Sequence, residues 1–220
     1  MKNKIVKYFL IGWSLVFLGI LFLTIGRIPS ISEPSFLPHI FNVIQRSSAL
    51  FAYLMLAVQI VLGAFIVRFR NKWGDSADKI HKIQGIVIYT LIFSHAFSLI
   101  LFNIFARNII DPFYVFVDFC VICPTKPELY ISLGRFSFWI ITATVLAALL
   151  RNHPSWKNNW RYVHLLNYPL FLLVAFHALK MGSDIWGGIF VVPFVIGFIA
   201  VVFTILYKIY RFFKDNFRLS

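Results

Sequence analysis

The sequence predicts an all-α protein: a six-helix transmembrane bundle with both termini in the cytoplasm. Three observations carry that expectation. Of 220 residues, 60% are hydrophobic and only 13% are charged, too few charges to cover so much apolar surface in water. The apolar residues gather into six stretches of about 20 residues, the length needed to cross the hydrocarbon core. The basic residues, in turn, fall mostly on one side once those stretches are threaded alternately across the bilayer.

The first stretch, Tyr8–Gly26, follows Lys2, Lys4 and Lys7. A secretory signal peptide also starts this way, but this apolar run is long for one and no small-x-small cleavage site follows, so it reads as a retained span. The second runs Ser47–Val67 and the third Ile83–Ala106. The fourth, Leu129–Leu150, carries one charge, Arg135, and the last two are Tyr162–Leu179 and Ile185–Tyr207. Connections take up most of what remains, so residues 1–220 read as a single domain. Pro29, Pro34 and Pro38 make Arg27–Arg46 an irregular outer cap. The outer connection Arg107–Glu128 is apolar, and is expected to lie in the interface, fold over the mouth of the bundle, or form a buried half-helix. The connections Arg68–Lys82 and Arg151–Arg161 are short and polar.

A net charge of +13 would suggest nucleic acid in a soluble protein. Here topology accounts for it. Lys2, Lys4, Lys7, Arg68, Arg70, Lys72, Lys79, Lys82, Arg151, Lys157, Arg161, Lys208, Arg211, Lys214 and Arg218 share the side of the termini, 15 of the 21 basic residues. The positive-inside rule makes that side cytoplasmic, in a multi-pass protein of the cell (inner) membrane with the lipid bilayer as its partner and no nucleic acid.

Four histidines stand out in these apolar stretches. His81 and His95 belong to the third, 14 residues apart, and His164 and His177 to the fifth, 13 apart. Imidazole is costly in hydrocarbon unless it has a partner or a metal. At about 1.5 Å per residue, either spacing separates the rings by about 20 Å along a helix. The third and fifth spans run parallel, so His81 and His164 share the inner depth and His95 and His177 the outer one. Two depth-matched pairs of neutral imidazoles suit two b haems between these spans, each iron held by one histidine from each helix. One weakness is helical phase. Fourteen positions return to within about 40° of one face, but thirteen leave a straight helix about 140° off. Pro169 lies between His164 and His177, and a kink or tightened turn there restores the alignment.

Haem propionates call for cationic partners; Arg46 and Arg135, near the outer ends of the second and fourth spans, are the candidates. Cys120 and Cys123 form an outer C-x-x-C, read as a structural disulfide, as two unremarkable thiols in an apolar loop, or as a redox pair near the outer haem. His39 and His153 read as ordinary loop residues.

At these residues the chain resembles the ferric reductase-like transmembrane domain superfamily, which includes ferric reductases, NADPH oxidases and the membrane subunit of the methionine sulfoxide reductase system. The matching stretches are His81-Lys-Ile-Gln-Gly85 followed by His95, Leu133-Gly134-Arg135, and Trp160-Arg-Tyr-Val-His164 with Tyr168 and His177. They cover roughly Arg46 to His177. The resemblance implies a six-helix bundle with two b haems between spans three and five, moving electrons outward from the cytoplasmic side. No glycine-rich dinucleotide fingerprint is present, so the expectation is an oxidoreductase component without its own flavin and nicotinamide domains. A flavoprotein or membrane quinol then serves as donor, and ferric iron or oxygen as outer acceptor. One alternative is the haem subunit of a methionine sulfoxide reductase-like system, passing electrons to a periplasmic partner. That subunit typically has a basic residue where His81 stands. Another is a non-redox metal-binding or transport protein.

Overall fold

The computed structural model describes residues 2–26, 29–120, 122–123, 125–186 and 188–217. Arg27, Pro124 and Arg218 of the sequence reading lie outside the described residues. No strand occurs among the described residues. The helices are α1 (Lys2–Ile25), α2 (Phe36–Ala64), α3 (Ile66–Trp73), α4 (Ser76–Arg107), α5 (Tyr114–Val117), α6 (Lys126–Leu149), α7 (Trp160–Leu165), α8 (Asn167–Met181) and α9 (Val191–Phe217). Among the described residues, six helical segments are long and apolar enough to cross a membrane: α1, α2, α4, α6, the α7–α8 pair and α9.

Several boundaries differ from the sequence reading. The second span begins at Phe36, not Ser47, so the irregular part of the first outer connection ends at Ser35 and His39 is helical. Pro38 is tolerated because it falls in the first helical turn, where the missing N–H has no helical acceptor. The extension is held by packing: Phe41 stacks on Phe105 of α4 with ring centroids 5.5 Å apart. The third span begins at Ser76, not Ile83. Its polar-looking start hides a buried stripe, Ser76, Ala77, Ile80 and Gln84, at helical spacing. Residues assigned to a polar loop thus form α3 and the start of α4, joined at Gly74, whose φ of 59° and ψ of −146° only glycine adopts readily. Arg70 clasps Asp78 across that turn through two bonds of 2.8 Å. The last span begins at Val191, not Ile185. Ile185 and Phe190 are buried in the turn before it, which gives a loop the hydropathy of a span.

Helix α2 is the post of the bundle. Residues at helical spacing along it, including Phe51, Tyr53, Met55, Leu56 and Ile60, are nearly inaccessible, and α1, α4, α8 and α9 all pack on it. Tyr53 stacks on Phe194 of α9 at 4.6 Å between centroids and donates its hydroxyl to the Phe194 carbonyl at 3.1 Å. Gly197, one turn on, lets α9 close in, since a Cβ there would sit 3.3 Å from Ala57 Cβ. Two glutamines tie α2 to α4 reciprocally: Gln59 donates to the His81 carbonyl at 2.8 Å, and Gln84 to the Met55 carbonyl at 2.7 Å. In hydrocarbon such side-chain-to-backbone bonds have no competing water.

Tyr53→Phe removes the bond to α9 and keeps the ring. The expected loss is about 1 kcal/mol, read as a lower unfolding midpoint in detergent, with Tyr53→Leu, which also loses the stacking, lower still.

Candidate metal centre

Each histidine-bearing span leans on its own wall. α4 packs on α2, and α7 and α8 pack on α6, while α4 and α8 make at most a marginal backbone approach. The two spans meet through side chains, among them the rings of His81 and His164, whose centroids are 6.2 Å apart with planes inclined at 72°.

The outer pair is the more firmly held. His95 Nδ1 lies 3.0 Å from the Gln45 carbonyl oxygen of α2, and His177 Nδ1 lies 2.8 Å from the Tyr130 carbonyl oxygen of α6. A carbonyl can only accept, so each Nδ1 carries the proton and donates it. Each Nε2 therefore keeps its lone pair, the tautomer that ligates metal while the carbonyl orients the ring. Gly134 makes the His177 contact possible: a Cβ there would lie 2.8 Å from His177 Cε1, blocking the way to the carbonyl one turn back.

The inner pair is held differently. His164 Nδ1 lies 3.4 Å from the Thr144 carbonyl oxygen and 3.4 Å from Asn167 Nδ2. His81 Nδ1 is buried without a partner, and its ring fills the space left by Gly63, where a Cβ would meet Cε1 at 2.9 Å. All four rings thus rest on two helices that carry none of them.

The phase problem is met by a break. α7 ends at Leu165 and α8 starts at Asn167, with the Leu166 amide bonded to the Val163 carbonyl at 3.1 Å, a tightened turn. Pro169 has no N–H to offer the Leu165 carbonyl. Across this break His164 and His177 both face α6, at Thr144 and Tyr130.

A haem iron could be held by two histidines, and the ring separation of the inner pair, 6.2 Å, is compatible with that. A metal–imidazole bond is about 2 Å and each ring centre lies about 1 Å behind its nitrogen, so rings sharing an iron stand about 6 Å apart. Among the described residues no group of three or more His, Cys, Asp and Glu side chains could hold a metal ion. A bare ion takes three or four protein ligands, whereas a porphyrin supplies its own four.

The remaining candidates have other partners. Arg46 donates Nε–H and Nη2–H to the two carboxylate oxygens of Asp184, in the turn before α9. Arg135 is 2% exposed. It donates Nε–H to the Tyr114 carbonyl at 2.8 Å and Nη1–H to the Asp118 carbonyl, and its guanidinium lies 4.5 Å from the Tyr114 ring centroid. Asp118 and Glu128 carboxylates stand 3.8 and 4.0 Å away. This arginine therefore fastens the outer connection over the end of α6, helped by Trp139, which donates to the Phe116 carbonyl at 2.8 Å. Burial, with the Glu128 carboxylate beside it, holds the Tyr114 hydroxyl above its ordinary pKa. Cys120 and Cys123 are joined by a disulfide, and the Cys120 amide donates to Ser132 Oγ of α6 at 3.0 Å. His153 is an exposed loop residue.

No family model, curated protein or solved structure matches the chain.

In haem-free protein, 15N NMR of imidazole-labelled histidine should find His95 and His177 protonated on Nδ1 and bare on Nε2. The reverse tautomer at either position would contradict the carbonyl bonds.

Proposed function

We propose that the chain is a dihaem b-type membrane cytochrome of the ferric reductase-like kind. His81 and His164 hold an inner haem, and His95 and His177 an outer one. The observation that carries this reading is the set of four imidazoles, paired by depth across two spans, with the best-held two fixed in the tautomer that leaves Nε2 free. A bound haem supplies a one-electron couple at each depth. The chain's own residues do the rest. Gln45 and Tyr130 carbonyls hold the protons of His95 and His177 and aim the rings, and hydrogen bonding of this kind raises the basicity of a ligating imidazole. Gly63 and Gly134 give the rings room, and the apolar faces of α2 and α6 exclude water.

Both termini and the basic connections face the cytoplasm of a cell (inner) membrane. Electrons enter there from a flavoprotein or a quinol and leave to an outer acceptor such as ferric iron or oxygen, or to a periplasmic redox partner. Arg135 and Arg46 serve the outer end by fixing the loops around it. A membrane potential negative inside by 100 mV favours outward movement of an electron by about 2.3 kcal/mol for a full crossing.

Purified protein should show a dithionite-reduced b-type spectrum with about two haems per chain. His95→Ala or His177→Ala should each remove one haem, and His81→Ala or His164→Ala the other. A colourless preparation from haem-replete cells would sink the reading. Gly134→Val and Gly63→Val should each lower the haem-to-protein ratio by about one while leaving the chain in the membrane fraction. Unchanged ratios would mean that the glycine cradles do not position the ligands.

A further inference from the structure

Helices α8 and α9 both rest on α2, yet they approach each other at most marginally. Between the start of α8 and the last turns of α9 lies a groove of about 470 Å³. Ile205, Lys208, Ile209 and Phe212 form one of its sides, a stripe at helical spacing, with Ile209 and Phe212 exposed. Two of the lining side chains are polar, and both bring donors. The Tyr168 hydroxyl has no hydrogen-bond partner among the described residues and is not sealed from the surface. The Lys208 ammonium has three donors and no acceptor. Its Nζ lies 5.5 Å from the ring centroid of Phe65, the residue between α2 and α3, and the Arg68 guanidinium of α3 lies 5.8 Å from the same centroid. Among the described residues, no carboxylate stands within ion-pair reach of either cation. The positive-inside rule accounts for basic residues on this face. It does not account for two cations from different helices converging on one ring, where they repel unless an anion lies between them.

We infer that this groove binds one anionic phospholipid. Its phosphate meets Lys208 and Arg68, an ester or head-group oxygen accepts from Tyr168, and an acyl chain lies on the Ile205 side of the stripe. The chemistry of the lining selects that ligand. Donors and positive charge call for an anion rich in acceptors, and the apolar stripe calls for a hydrocarbon chain. A free phosphate leaves the stripe bare. A zwitterionic lipid brings its own cation to a place that already holds two. Bound there, the anionic lipid fills the gap between two spans that otherwise meet through α2. The site is separate from the histidine pairs and does not rest on the dihaem reading.

The test is native mass spectrometry of full-length protein in detergent, titrated with dioleoylphosphatidylglycerol and dioleoylphosphatidylcholine. One phosphatidylglycerol per chain is expected to bind about thirtyfold more tightly than phosphatidylcholine, the worth of two cations at a membrane surface. Lys208→Gln and Arg68→Gln should each remove about fivefold of that preference. Lys72→Gln/Lys79→Gln takes charge from exposed residues of the same face and should leave the preference unchanged. Ile205→Trp, which fills the groove and keeps both charges, should abolish the one-to-one site, and excess inorganic phosphate should not displace the lipid. Equal affinity for the two lipids, or a preference unmoved by Lys208→Gln, Arg68→Gln or Ile205→Trp, would overturn the inference. So would an equal loss in Lys72→Gln/Lys79→Gln, which would leave a general attraction of the basic face, or displacement by phosphate, which would leave a simple anion site.

Discussion

An imidazole ring placed in hydrocarbon has two nitrogens and no water to satisfy them, and the architecture follows from how this chain meets that demand. For His95, His164 and His177 the acceptors are backbone carbonyls of neighbouring helices, which already serve their own helical bonds and retain a second lone pair. Reaching them requires the ring to come down onto the helix surface. Gly134 shows what that takes, since a Cβ at 2.8 Å from the ring would stand in the way. The residue one turn after the acceptor is small in each case: Ala49 after Gln45, Gly134 after Tyr130, Ala148 after Thr144. Once the rings are parked on α2 and α6, the order of packing is set. Each histidine-bearing span must lie against its wall, and the two must face each other across the rings.

The same logic accounts for the polar side chains elsewhere in the bundle. Gln59 and Gln84 close the α2–α4 seam by bonding to each other's helix rather than to each other. Arg135 is buried because its charge is surrounded by loop carbonyls, two carboxylates and an aromatic face, so the outer connection is stitched down by the residue that would otherwise be most costly in the span. Arg46 and Asp184 do the same for the turn before α9.

Much of this was legible from the chain alone. The number of spans and their apolar centres followed from composition and length, and the histidine spacings drew attention to four rings that the structure sets against two neighbouring helices. Helix ends were harder. Prolines make Phe36–Arg46 look irregular, Ser76–Lys82 looks polar because only a stripe of it is buried, and a length of hydrocarbon says nothing about a helix that continues past it. The stretch before α9 erred the other way: Ile185 and Phe190, which are buried, and Trp186 and Ile189, which are not, make it as apolar as a span. The wall helices were the least visible part. Their contribution is a backbone carbonyl beside a missing side chain, and a sequence names neither the carbonyl's free lone pair nor the direction in which a gap points. The propionate roles considered for Arg46 and Arg135 came from depth alone, which cannot tell that carboxylates and carbonyls of the outer loops already surround them.

The break at Leu166 bears on how such chains are sought. A pattern written as a fixed interval between two histidines assumes a straight helix, and under that assumption an interval of thirteen would be discarded as out of register. Here the count is short by one, yet across the break ahead of Pro169 both rings still reach carbonyls of α6. Interval and breaker are therefore a single unit of information. A search profile that lets the interval shrink only when a proline lies inside it would keep chains like this one and still reject accidental pairs. By the same reasoning, replacing that proline while keeping the spacing is a larger change to the protein than its modest side chain suggests.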